Sequence, residues 1–164
     1  MLIRNAVWCR GICCHYLQKI MVLIFLCLWL ASCGQIPFDN VSSNPEYSSV
    51  IGKQFSTKEE LWAIGVMSNI DYPKKVDYIV LVHGVGFSGR EVVTRDKLNR
   101  GYIFRVVRVL KARSFLSSEI NYVVEEFGSN KFKGYEVRIL LIGDIHNRNY
   151  GLDESIYSLE TNSH

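Results

Sequence analysis

Ile120-Asn121-Tyr122-Val123-Val124-Glu125-Glu126-Phe127, then Gly128-Ser129-Asn130-Lys131-Phe132-Lys133-Gly134, then Tyr135-Glu136-Val137-Arg138-Ile139-Leu140-Leu141-Ile142, is the stretch that decides the fold. Two runs rich in β-branched and aromatic residues flank a loop bounded by glycines, which is the pattern of a β-hairpin. Tyr135, Val137, Ile139 and Leu141 recur at every second position and read as its buried face.

The same chemistry continues upstream. Residues 102–110 read as a strand entered through the tight turn Asn99-Arg100-Gly101. Arg105 and Arg108 stand three apart there, which breaks strict alternation; a bulge near Val106-Val107 returns both to solvent. Residues 91–94 form a short strand. In residues 76–83, Val76, Tyr78, Val80 and Val82 alternate onto one face. Residues 61–67 read as a strand with a bulge at Gly65, and residues 49–55 as a first short strand. Thr57 and Glu60 have capping-box spacing, which predicts one helical turn. The expectation is an all-β domain over 49–143, a small barrel or sandwich of six to seven short strands. Lys97-Leu98-Asn99-Arg100-Gly101-Tyr102-Ile103-Phe104 resembles the turn-then-strand of bacterial SH3-like domains over about ten residues.

On either side the periodicity fades. Residues 144–164 read as a polar C-terminal tail. Residues 33–48 carry two of the three prolines and read as a polar tether. Before them, residues 20–30 are all apolar, follow Lys19, and end in Leu30-Ala31-Ser32-Cys33. Arg4, Arg10 and Lys19 make the leader basic, and residues 1–32 contain no acid. A basic start, a short apolar run and small residues at its end are the parts of an export signal. Eleven helical residues span about 16 Å at ~1.5 Å each, short of the ~30 Å of bilayer hydrocarbon.

Leu30-Ala31-Ser32-Cys33 resembles the lipobox of bacterial lipoproteins. That resemblance implies a signal peptide over 1–32, cleavage between Ser32 and Cys33, and acyl chains on Cys33 holding the domain to the membrane. Gly34 is not the aspartate associated with inner-membrane retention in enteric lipoproteins, so the resemblance favours the outer membrane, facing the periplasm.

Composition then excludes several classes. Three of the 19 Lys and Arg lie in the leader, so 16 remain against 16 Asp and Glu. The mature chain is formally neutral, and nucleic acid is not an expected partner. All five cysteines lie at or before Cys33, so the mature domain is expected to lack disulfides and thiolate metal sites. No cofactor is expected. Within this neutral chain, residues 90–113 hold a local excess of six positive charges. Arg95, Lys97, Arg100, Arg105, Arg108, Lys111 and Arg113 are the candidate basic face for an acidic protein or envelope phosphate, against the alternative of charges paired across strands.

Two short stretches carry candidate chemistry. Val82-His83-Gly84-Val85-Gly86-Phe87-Ser88-Gly89 resembles the strand and His-Gly loop that build the oxyanion hole of α/β-hydrolases. It lacks the Gly-x-Ser-x-Gly elbow, and only 75 residues follow Gly89. Ser88, His83 and Asp77 can be drawn as a triad, without any spacing that requires it. Gly143-Asp144-Ile145-His146 resembles the Gly-Asp-x-His segment of metallophosphoesterases, with few further ligands downstream. The expected function is a membrane-anchored, non-catalytic module that binds a protein or an envelope component. Its size and address also fit small envelope lipoproteins that act as immunity proteins against toxins. The rival is a small envelope hydrolase using the loop from His83 to Ser88.

Overall fold

The computed structural model describes residues 18–23, 37–69, 73–114, 117–128 and 131–160. The chain divides into two units, Met1–Gln35 and Ile36–His164. In the first, residues 18–23 are helical. Ser32 and Cys33, with the expected cleavage and lipidation, lie outside the described residues. Among those residues, no helix is long and apolar enough to cross a membrane.

The second unit is built on strands β1 (Phe38–Asn40), β2 (Gln54–Thr57), β3 (Leu61–Val66), β4 (Tyr78–His83), β5 (Val92–Leu98), β6 (Ile103–Ala112), β7 (Ile120–Phe127), β8 (Glu136–Leu140) and β9 (Tyr157–Leu159), with one short helix α1 (Pro45–Ser48). They form a single sheet in the order β5-β3-β4-β8-β7-β6-β2-β9, with β1 also paired to β6. β4 and β8 run parallel. The other pairs are antiparallel.

The β-rich expectation therefore holds, but the barrel or sandwich of six to seven strands is corrected to one open sheet of nine. β5 and β9 end the path without pairing to each other. Six of the seven expected strands correspond to β3 through β8; the first, residues 49–55, meets β2 only at residues 54–55, because residues 49–52 form a turn. β1 and β9 are the additions, and three residues each are too few to show a period.

The interior follows from alternation. Phe104, Val106 and Val109 of β6 meet Tyr122 and Val124 of β7 and Val137 and Ile139 of β8 in the main core. Pairing slips between Val106 and Arg108. This bulge leaves Arg105 and Arg108 both exposed while Val106 and Val109 stay inside. β3 carries the second expected bulge, between Gly65 and Val66. Tyr135 does not join the buried face: β8 starts one residue later and Tyr135 is 47% exposed. Thr57 starts no helical turn. It is buried at the end of β2, where its amide donates to the Tyr102 carbonyl and its Oγ1 accepts the Tyr102 amide at 3.1 Å.

The sheet is covered on its reverse face as well. Val123 lies between the core residues Tyr122 and Val124, so it points the other way, and it is buried too. Its cross-strand neighbours are Arg108 and Arg138. The Arg138 guanidinium lies 4.0 Å from the centre of the Tyr78 ring and 5.3 Å from that of Phe38. Glu136 holds Arg138 through Oε1 and Arg108 through Oε2, each at 2.6 Å. Two rings and two ion pairs thus roof apolar residues that the strands alone would leave wet.

Both expected polar flanks are corrected. Residues 37–48 are not a free tether: β1 pairs with β6, Asn44 caps α1 by accepting the Glu46 amide, and Tyr47 is buried. Residues 144–160 are not a fraying tail; residues 161–164 lie outside the described set. Ile145, Leu152 and Tyr157 enter the core, and β9 pairs with β2. Polar side chains shape this segment in place of periodicity. Asn147 Oδ1 accepts the amides of Asn149 and Gly151. Asn149, 3% exposed, donates its side-chain N–H groups to the carbonyls of Leu152 and Tyr157 at 3.1 and 3.2 Å. The Tyr122 hydroxyl donates to the Tyr150 carbonyl at 2.6 Å, and Tyr150 has a positive φ of 52°.

Leu152→Ala is expected to lower unfolding stability by about 2–5 kcal/mol through lost burial and cavity formation. Asn149→Ala, which orphans two buried carbonyls, is expected to lower it by about 1–3 kcal/mol. Urea titration followed by circular dichroism reads both, and unchanged midpoints would return residues 144–160 to a tail. Alkaline pH supplies a separate measurement. Burial raises the pKa of Tyr122 and of Tyr157 above the ordinary tyrosine value of 10.0. The fold therefore binds these protons more tightly than the unfolded chain does. The stability they contribute is complete below pH 10 and falls as pH rises further, so tyrosinate absorbance should appear together with melting.

Candidate functional site

The parallel pairing of β4 and β8 places the site. Leu81 lies opposite Ile139, and both strands run toward the same end of the sheet. The chain leaving β4 and the chain leaving β8 therefore emerge side by side. Loops leaving parallel neighbours can diverge and open a crevice at the carboxyl ends, as open parallel sheets do. A groove of about 710 Å³ lies there.

Its walls are apolar. Leu81 and Val82 come from β4, Ile139 and Leu140 from β8, and Phe87 from the loop after β4. Leu152 and Ile156 come from the C-terminal segment. The lining also holds the His83 imidazole and the carboxylates of Asp153 and Glu154. Asp153 Oδ1 accepts both the amide and the hydroxyl of Ser155, at 2.8 and 2.7 Å. Those bonds, with a smaller contribution from the neighbouring His83, hold its carboxyl below the usual aspartate range. Two apolar side chains stand out here: Ile142, which lines the groove, is 87% exposed, and Val85, which follows His83 and Gly84 into a neighbouring pocket with Glu59, Glu60 and Trp62, is 85% exposed.

The glycine-rich loop forms one wall of the groove through Gly86 and Phe87. Gly86 has φ of 67°, and a Cβ there would lie 2.8 Å from both Ile64 Cδ1 and Val82 Cγ2. Only glycine lets the backbone lie this close to the sheet at that angle. Arg95, on β5, fixes the loop from outside. Its Nη1 donates to the Val85 carbonyl at 2.6 Å, and its Nη2 donates to the Phe87 carbonyl. The guanidinium carbon lies 5.8 Å from the centre of the Trp62 ring. A planar fork reaching two carbonyls while resting on an indole is a task for arginine rather than lysine.

The candidate basic residues are spread over several elements of the sheet. Arg95 and Lys97 lie on β5, whereas Arg105, Arg108 and Lys111 lie on β6, five strand spacings away, about 24 Å along the sheet. Most of these charges are paired. Lys97 meets Glu60 at 2.6 Å, Arg105 meets Glu125 at 3.0 Å, and Arg108 meets Glu136. Arg113 is paired with Asp39. Arg100 and Lys111 are exposed and make no ion pair among the described residues.

Nor does the structure assemble the drawn triad. Asp77 and His83 are separated by the length of β4, about 20 Å at ~3.3 Å per residue. Asp77 Oδ2 accepts the Ser68 amide instead. Ser88 does not line the groove. Asp144 Oδ1 accepts the His146 amide, closing a turn. Among the described residues, no three of His, Cys, Asp and Glu gather as metal ligands. The groove, with Asp153 and Glu154 at its edge, is what sequence reasoning missed. Its one visible trace is Leu140-Leu141-Ile142, where three successive apolar residues overrun a strand that should alternate.

Gly86→Ala is expected to displace the 84–87 loop and destabilise the fold by about 1–3 kcal/mol, since it combines a positive φ with a steric clash. Arg95→Ala is expected to shift the Trp62 emission and to speed proteolysis within residues 84–89. Arg95→Lys should restore neither, because one ammonium cannot make the two-carbonyl clamp. Limited digestion with mass spectrometry reads the outcome. No family model, curated protein or solved structure matches this chain.

Proposed function

We propose that this chain is a bacterial envelope lipoprotein whose β domain is a non-catalytic binding module working through the groove at the ends of β4 and β8. Export and lipidation on Cys33, after cleavage at Ser32, rest on the basic leader, the short apolar run and Leu30-Ala31-Ser32-Cys33. Two or more acyl chains would anchor the domain stably, where one is marginal. The favoured address is the outer membrane, facing the periplasm. A protein or an envelope component is the ligand, and a toxin-immunity role is one form that this takes.

The observation that carries the binding reading is the groove itself. It is concave and largely apolar, its lining includes the strongly exposed Ile142, and exposed Val85 adjoins Gly86 of its wall. Among the described residues its lining contains no serine, threonine, cysteine or lysine; its polar side chains are His83, Asn147, Asp153, Glu154 and Tyr157. The hydrolase reading keeps one supporting feature, His83 near Asp153, but it needs Ser88 to reach the groove.

Cys33→Ala is expected to abolish incorporation of a palmitate analogue and to block normal processing of the leader. Normal labelling of that variant would remove the lipoprotein reading. Ser88→Ala and His83→Ala are expected to leave biological function intact. Esterase activity of purified protein that disappears in Ser88→Ala would reinstate the hydrolase.

A further inference from the structure

The geometry points to a defined occupant: a short segment of a partner protein that places adjacent apolar side chains in the groove and a lysine or arginine against Asp153 and Glu154. This rests on the groove being the binding site and adds the chemistry of what it binds.

Three features argue for it. The first is extent. Ile142 lines the groove and is still 87% exposed, and Val85 lies just outside the lining, next to Gly86, so a small ligand enclosed by the groove would leave Val85 in water, whereas a polypeptide running over the Gly86 wall reaches both. Exposed apolar side chains gathered around a cavity mark an association surface more often than a closed ligand pocket. The second is charge. Asp153 and Glu154 belong to the lining, which has no lysine or arginine of its own. The nearby Lys58 ammonium is engaged at 2.7 Å by the backbone carbonyl of Glu154. On the far side of His83, Glu59 and Glu60 face Arg95 and Lys97, and Lys97 is already paired with Glu60. The third is the set of the carboxylate. Both bonds from Ser155 go to Asp153 Oδ1, and Oδ2 has no hydrogen bond among the described residues, so an acceptor is held in place and open to an incoming N–H. Apolar contact supplies the affinity, and the carboxylates set register and exclude acidic segments.

The test is selection from a random heptapeptide phage library on the full-length chain in lipid nanodiscs, with bare nanodiscs subtracted. Enriched peptides are expected to join neighbouring apolar residues to a lysine or arginine. Their synthetic forms should lose about tenfold or more in affinity on Ile142→Asp, and likewise on Val85→Asp across the groove. They should lose roughly fivefold on combined Asp153→Asn and Glu154→Gln, with a smaller loss at high salt. Both lip residues are exposed, and asparagine keeps the Oδ1 acceptor, so unchanged melting curves separate these effects from misfolding. Enriched peptides that need Ile142 but carry no cation would overturn the proposed chemistry and leave the binding module standing. No enrichment, or peptides indifferent to both lip variants, would overturn both. Self-association abolished by Ile142→Asp would assign the groove to a second copy of the chain and equally overturn the proposal.

Discussion

The parallel register of β4 and β8 is the constraint on which the rest of the structure depends. Antiparallel neighbours can be joined by a turn, but parallel neighbours need a connection that travels back across the sheet. Here that connection contains β5, β6 and β7. It places the residues after His83 beside those after Leu140, although 57 positions separate those two residues in the chain. The groove follows directly, because two chains leaving the same end of a sheet can splay apart above it.

Charged residues in this domain work mainly to finish the fold. Arg138 lies against Tyr78 and Phe38, and Glu136 ties it to Arg108. Arg95 ties the loop after β4 to Trp62 and β5. In a one-sheet domain these long side chains do what a second layer would do: they cover apolar residues such as Val123 with their stems while their charged ends meet acids or carbonyls. The run of arginines in residues 90–113 stands out in the sequence for that reason. Its members serve different strands and different partners, so a local excess of charge in the chain becomes dispersed, largely paired charge in space.

What was legible follows the same physics. Alternation and β-branched composition exposed β3 through β8, and the three-residue step from Arg105 to Arg108 exposed the bulge, because both are local signals. The glycine-bounded loop between β7 and β8 exposed the hairpin. β1, β9 and the packed segment 144–160 were not legible. Their order comes from Asn44, Asn147, Asn149 and Asp153 hydrogen-bonding to backbone, and such residues look the same in a free loop. The parallel pair was hidden because pairing partners are a non-local choice. The groove inherited that invisibility, and nothing in His83-Gly84-Val85-Gly86 as a string tells that Gly86 lets the backbone come close to Ile64 and Val82.

Cross-strand NOEs between β4 and β8 in the isotopically labelled full-length chain test this account most directly. The account predicts Hα-to-amide contacts that place Ile79 by Val137 and Leu81 by Ile139, advancing in the same direction along both strands. Contacts that advance in opposite directions, or their absence between these strands, would contradict it, since the two loops would then leave from opposite ends and no groove could form between them.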